Sequence, residues 1–411
     1  MSNPPSSSPP VGGSNNPTPS NEQETARFER VEWDRLERSR RWLSTESLVL
    51  LVGLVIVAAA LFNHLRDGGV FLIFRWNVGW EDWLVLVTLV FIVAFFLVPM
   101  VRHPRQTHRV LRRFSRHWGT ILGLVILSGI LLVGTWALLS GYRALIPWQV
   151  GIDPLQPPIG TTVEVTNPAD CVGHVSEEGG SQVCHGTWAY PLGTDSSGYK
   201  LTELLIMGTR PVVYATVLTL GLIVPLATVV GVVAGYYGGM LDDILMAYVD
   251  VQLSFPAILI YLVFYMFVLN SMAVFLLAFG LLSWGGIARI VRSETLQLRE
   301  EGHVLSARAV GAPRRHILRY HILPNVMNSA MPAAFQLIAI IVLTEAGLSF
   351  LGFNPIDQSW GHTIERGFTR ASPIDQWWIA AIPATALAIT VLSCKMVGDG
   401  IRDILDPRGE R

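Results

Sequence analysis

Two groups of residues in this chain are of types that do chemistry. The first is Cys171, His174, Cys184 and His185, close together in a polar stretch. Two readings are open for it. A disulfide between Cys171 and Cys184 would close a small loop on an oxidising side and restrain it by about 3 kcal/mol. A zinc site would use all four side chains, since zinc takes thiolate and imidazole ligands, but their spacing follows no zinc pattern. The second group is carboxylates inside apolar runs, Asp250 and Glu345. An acid at membrane depth is a functional suspect by default. Asp250 follows Asp242 and Asp243 closely, so a structural pairing near the membrane edge competes with that reading. Glu345 stands near the end of an apolar run, where it would brace the adjoining loop. Cys394 reads as a buried thiol. No nucleophile is paired with a base, and no two carboxylates have a catalytic spacing. No G-x-x-x-x-G-K-[ST] loop is present to cradle phosphates. The chain is therefore not expected to be an enzyme, and no cofactor or metal is expected.

The elements that carry these residues are long apolar stretches. The 411 residues are 51% hydrophobic and 15% charged, against about 25% charged in an average soluble chain. Stretches of about 20 uncharged residues are long enough to cross a hydrocarbon core of about 30 Å. The fold class is all-α and polytopic, with about eight transmembrane helices. They are expected at 47–65, 83–101, 118–142, within 211–240, in two spans sharing 244–288 with a break near Asn270 and Ser271, at 325–344 and at 377–394. Pro256 should kink the fifth span, because it lacks an N–H. Gly231, Gly235 and Gly239 repeat at four residues and form a smooth stripe against which another helix can lie.

Residues 1–22 are rich in Pro, Ser, Asn and Gly, and read as a disordered tail rather than a signal peptide. Residues 23–41 are charged and Arg-rich; a helix on the membrane surface and a merely solvated one fit equally. The net charge of −1 gives no general attraction to nucleic acid. Only Lys200 and Lys395 are lysines among the 30 basic residues, a bias without a functional reading of its own.

Arginines crowd before the first span, between the second and third (Arg105, Arg109, Arg112, Arg113) and between the sixth and seventh. Parity puts these segments on one side, and the positive-inside rule makes it cytoplasmic. Both termini are then cytoplasmic, and 143–210 and 352–376 face outward.

The last of these basic segments, 300–324, reads EEGHVLSARAVGAPRRHILRYHILP. Glu300 and Glu301 complement the positive end of a helix dipole. Gly311 suits a left-handed helix end and Pro313 the first turn of the next helix. The expectation is two short amphipathic helices joined by a bend, with Val304, Ala307 and Val310 near one face of the first and Ile317, Leu318 and Ile322 on one face of the second. This stretch resembles the cytoplasmic coupling motif of ABC importer permeases. Leu305, Ser306 and Ala307 stand where that family begins Glu-Ala-Ala, Gly311 matches its glycine, and Leu323 and Pro324 match its closing Leu-Pro. Other blocks are similar to dipeptide and oligopeptide permeases: 193–198 with Gly208-Thr209-Arg210, then 345–352 with Ser359-Trp360-Gly361, and Gly398-Asp399-Gly400-Ile401-Arg402-Asp403 with Asp406-Pro407-Arg408. Tyr199 and Lys200 stand where the family usually has Arg-Asp.

The resemblance covers about 118–408 and implies a six-helix permease core at 117–411. The segment 23–116 would then add a two-helix hairpin. It further implies a multi-pass cytoplasmic-membrane subunit importing dipeptides or oligopeptides. Its partners would be a second permease subunit, two ATP-binding subunits that hydrolyse ATP, and an extracytoplasmic solute-binding protein. Residues 300–324 would grip an ATPase subunit, with Arg308, Arg314 and Arg315 either pairing with its acids or reading the anionic lipid of the inner leaflet. Nickel chelates and oligosaccharides are also carried by such systems. A self-sufficient secondary transporter is the rival class; it would need coupling-ion carboxylates and internal repeats.

Overall fold

In lipid a backbone must satisfy its own N–H and C=O groups, so long apolar runs become helices. The computed structural model describes residues 45–66, 72–73, 76–102, 117–144, 153–267, 271–353, 356 and 358–405. The tail at 1–22, the Arg-rich segment to 41, the basic run at 103–116, Asn270 and Asp406-Pro407-Arg408 lie outside the described residues. In chain order the first elements are α1 (Thr45–Arg66), a two-residue pair β1 (Leu72–Ile73) and β2 (Trp76–Asn77), α2 (Trp80–Ile92), α3 (Val98–Arg102) and α4 (Trp118–Leu139). A small sheet follows, β3 (Thr162–Glu164), β4 (Val175–Glu178) and β5 (Ser181–His185). Then come α5 (Leu201–Met207), α6 (Arg210–Leu218), α7 (Val224–Tyr237), α8 (Gly239–Ser254), α9 (Ala257–Phe267), α10 (Met272–Leu282) and α11 (Trp284–Leu298). The last are α12 (Gly302–Ala309), α13 (Arg314–Ile317), α14 (Leu323–Phe350), α15 (Trp360–Thr369) and α16 (Trp378–Leu405). Among the described residues seven helical stretches are long and apolar enough to cross a membrane, and α8 with α9 makes an eighth if that bent pair is one span.

Prolines set the shape of the spans in two ways. At Pro256 the preceding Phe255 is extended, as the residue before a proline prefers, and α8 and α9 meet at 63°. This is the kink expected at that position. At three other prolines the helix continues by widening, whereas α14 and α16 run through Pro332 and Pro383 as plain α-helix. Wide π turns at Val93–Leu97, Thr219–Ile223 and Leu318–Ile322 come just before Pro99, Pro225 and Pro324. A proline ring clashes with the carbonyl four residues back, and a π turn displaces that carbonyl.

Among the described helices the most extensive contact is that of α7 with α11. A Cβ on Gly231 would lie 2.5 Å from the Ala288 carbonyl oxygen, and one on Gly235 would lie 2.8 Å from that of Arg292. Gly239, the third member of the expected stripe, meets nothing within 4 Å. It lies beyond the end of α7, where Gly238 and Gly239 both turn through positive φ. Asp242 on α8 and Arg292 on α11 form a two-bonded fork, Nε to Oδ1 at 2.5 Å and Nη2 to Oδ2 at 2.6 Å. Arg289 pairs with Asp250, which answers the sequence question about that acid in favour of a neighbouring helix. Glu345 is buried in α14 and accepts a hydrogen bond from Ser349 Oγ at 2.9 Å.

The helices α1 and α2 pack on each other, and α2 docks on α6 and α10. The buried Tyr214 hydroxyl donates to Asp82 Oδ1 at 2.7 Å, while Asp82 Oδ2 accepts from the Gly79 N–H at 2.8 Å. At the far end of the molecule from α12, β3, β5 and β4 form an antiparallel sheet in that order. Short strands of mixed polarity carry little periodic signal, so the sequence does not announce them. Cys184 pairs in register with both Val163 and Val175, and is joined to Cys171 as a disulfide. Among the described residues no cluster of three or more His, Cys, Asp or Glu is arranged to hold a metal ion.

Gly231→Val should lower the thermal stability of the detergent-solubilised protein by several degrees, because the new side chain meets the backbone of α11. Gly129→Val, where a Cβ would meet nothing within 4 Å, should change it little. Scanning fluorimetry of the two variants checks this.

Candidate functional site

The hairpin between α11 and α14 is rooted in the core by Val304, Ile317 and Ile322, all buried. Glu301 is the N-cap residue of α12. The helix ends with Gly311 at φ +82°, a left-handed conformation that glycine adopts without strain. The Ala312 N–H donates to the Ala307 carbonyl and the Gly311 N–H to that of Arg308, both at 3.0 Å. These two bonds satisfy carbonyls that a helix end otherwise leaves open. Pro313 lies one place earlier than expected, as the N-cap of α13 rather than inside its first turn. The second helix is not a separate short one either. It runs from α13 through the π turn Leu318–Ile322 directly into α14, so 314–350 is one span.

The side chains of the expected site divide by direction. Ala307 packs inward. Leu305 is 44% exposed and Val310 62%, so Val310 does not share the buried face expected for it. It follows the last residue of α12, where the chain has begun to turn. Ser306 returns a hydrogen bond to the Gly302 carbonyl at 2.7 Å. Leu323 and Pro324 are exposed at the head of α14. The Arg308 guanidinium lies 5.9 Å from the Tyr236 ring centroid, and that of Arg314 lies 5.9 Å from the Tyr237 centroid. The two rings meet edge to face at 5.4 Å. Both arginines therefore grip the end of α7 by cation–π contact. Arg315 is exposed and has no partner among the described residues. Arg299 donates to the Gly235 carbonyl at 3.1 Å and ties the start of the hairpin to the same helix.

At the opposite end, two distant motif blocks meet. Asp195 is fully buried and accepts N–H bonds from Ser197 and Tyr199, both at 2.8 Å. Arg366 on α15 donates to its other oxygen at 2.8 Å. Trp360 Nε1 donates to the Leu205 carbonyl at 3.1 Å, with its ring against Gly208. Trp378 Nε1 donates to the Thr194 carbonyl at 3.2 Å.

A membrane bundle with a two-part hairpin at one end and a braced loop assembly at the other is an architecture suited to transport. Residues 227–411 match the family model described as binding-protein-dependent transport system inner membrane component. The oligopeptide transport system permease protein OppC of Haemophilus influenzae is 34% identical over 221 residues, 53% of this chain and 70% of that protein. The chain belongs to this permease family. The glutathione transport system permease protein GsiD of Pectobacterium atrosepticum is also 34% identical, over 222 residues, 54% of this chain and 73% of that protein. A putative peptide transport system permease protein of Brucella abortus is 30% identical over 299 residues, 72% of this chain and 90% of that protein. The permease is a multi-pass membrane protein of a transport family, not of a known enzyme family.

Sequence reasoning found the hairpin but not its grip on Tyr236 and Tyr237. Two adjacent tyrosines at the end of an apolar run, facing an Arg-rich loop, were the available signal. The permease's Asp195–Arg366 pair spans 171 positions, and only a fold brings such residues together.

Arg366→Met should destabilise the braced end by about 3–5 kcal/mol, the cost of leaving a buried carboxylate without its partner. Limited proteolysis should then cut between 153 and 200 faster, while cleavage near 300–324 stays at the parental rate.

Proposed function

We propose that this permease imports short peptides across the cytoplasmic membrane, driven by ATP hydrolysed on separate subunits. The observation that carries the proposal is the hairpin at 302–323. It presents Leu305, Val310 and Arg315 outward, and is tied by Arg299, Arg308 and Arg314 to α7 and continuous with α14. A partner that grips the exposed apolar tip moves two spans at once, a rigid-body transition of packed helices. In this reading Leu305, Ser306, Arg308, Gly311 and Arg315 form the coupling site, and Ala307, Arg314, Leu323 and Pro324 hold its shape. The hairpin end and both termini are cytoplasmic; the sheet, held by Cys171–Cys184, faces the oxidising outside.

The pore forms with a second permease subunit, two ATP-binding subunits sit under the hairpins, and an external solute-binding protein delivers cargo to the sheet end. The peptide class rests on the relatives, whose names include oligopeptide, glutathione and D,D-dipeptide transport. These favour peptides over nickel chelates or oligosaccharides. The paired α1 and α2 form an accessory hairpin docked on the core through Asp82 and Tyr214.

Gly311→Pro removes the N–H bond to Arg308 and imposes φ near −65° on a residue held at +82°. In proteoliposomes holding the full complex, peptide uptake should fall more than tenfold while the variant still inserts. Receptor-stimulated ATP hydrolysis should become uncoupled from transport. Uptake at the wild-type rate would overturn the coupling role, and so would a cysteine at Leu305 that never crosslinks to an ATP-binding subunit.

A further inference from the structure

A cavity of about 710 Å³ opens between α11, α14 and α16. That volume lies within the range of about 300–1,000 Å³ typical of small-ligand sites. Its apolar wall includes Ile340 and Leu343, and its polar groups include Asn328 and Gln336 from α14 and Lys395, Asp399 and Arg402 from α16. The three charged residues stand at i, i+4 and i+7, so they line one face of the helix. Cys394 and Gly398 line the same cavity beside them, Cys394 fully buried and Gly398 against Phe335 and Pro332, while Lys395, Asp399 and Arg402 are exposed along it.

Lys395 is the informative residue. Of 30 basic residues only two are lysines, and this one lies within the candidate span Trp378–Ile404. It is exposed, and among the described residues no carboxylate lies within ion-pair distance of it. A charge in a span is costly unless it faces a wet cavity or a partner, and its presence there marks a pathway. The neighbouring charges run cation, anion, cation, a pattern that meets both ends of a zwitterion. A lysine offers a compact, mobile charge, whereas an arginine fork would hold a carboxylate in two bonds. A passage site must bind weakly enough to release.

We infer that Lys395 is a subsite for the terminal carboxylate of the solute in transit, with Asp399 facing its ammonium group. This rests on the peptide reading above and deepens it.

The test uses the full complex in liposomes, with its solute-binding protein and ATP. The probes are radiolabelled tri-alanine and its C-terminal amide. Lys395→Met should slow tri-alanine uptake about tenfold, the effect of losing one charged hydrogen bond. It should leave the amide within about twofold of its wild-type rate, and receptor-stimulated ATP hydrolysis should persist. Lys395→Arg should restore most of the tri-alanine rate. Equal slowing of both probes, or of neither, would overturn the subsite. Where the receptor rejects the amide, the comparison of Lys395→Met with Lys395→Arg decides, and equal rates overturn it. Wild-type complex that moves neither probe, with normal stimulated hydrolysis, would remove the peptide reading and the subsite together.

Discussion

The absence of side chains at Gly231 and Gly235 lets the backbones of α7 and α11 lie against each other, and the hairpin end of the molecule is built on that contact. Lipid supplies no hydrophobic drive between helices, so close packing and polar bonds must hold them. Here both act on α11. The Asp242–Arg292 fork fastens α8 to α11, and Arg299 bonds to the Gly235 carbonyl. The chain then leaves α11, turns through α12, and comes back to α7 through Arg308 over Tyr236 and Arg314 over Tyr237. A segment that would be a free loop by composition is thus part of the bundle.

The spans were legible because lipid admits little besides helix, so length and apolarity nearly decide the structure. The bend at Pro256 and the turn at Gly311 were legible because each depends on the properties of a single residue type. The continuity of α13 with α14 was not. Leu323-Pro324 has the form of a stop, and whether a helix ends or widens there depends on how the preceding turn packs. Buried Ile317 and Ile322 hold that turn helical on the core side. At Phe255, which is exposed, the chain bends instead.

The other end of the molecule shows a second limit of sequence. The blocks around Asp195 and Trp360 were each noticeable alone. Their meeting through Arg366, and the donation from Trp378 to Thr194, required the fold. The sheet between them is short, and its order β3-β5-β4 puts Cys184 on the central strand. The disulfide therefore pins the loop before β4 to the middle of the sheet rather than to its rim. Tyr214 and Asp82 were invisible for a similar reason: neither stands in a motif, and 132 positions separate them.

The unbroken run from Arg314 to Phe350 has a mechanical consequence. At 37 residues, it is a strut of about 55 Å at the α-helical rise. A lever of that length magnifies small rotations: tilting it by about 5° about one end carries the other through about 5 Å, the scale of a helical turn.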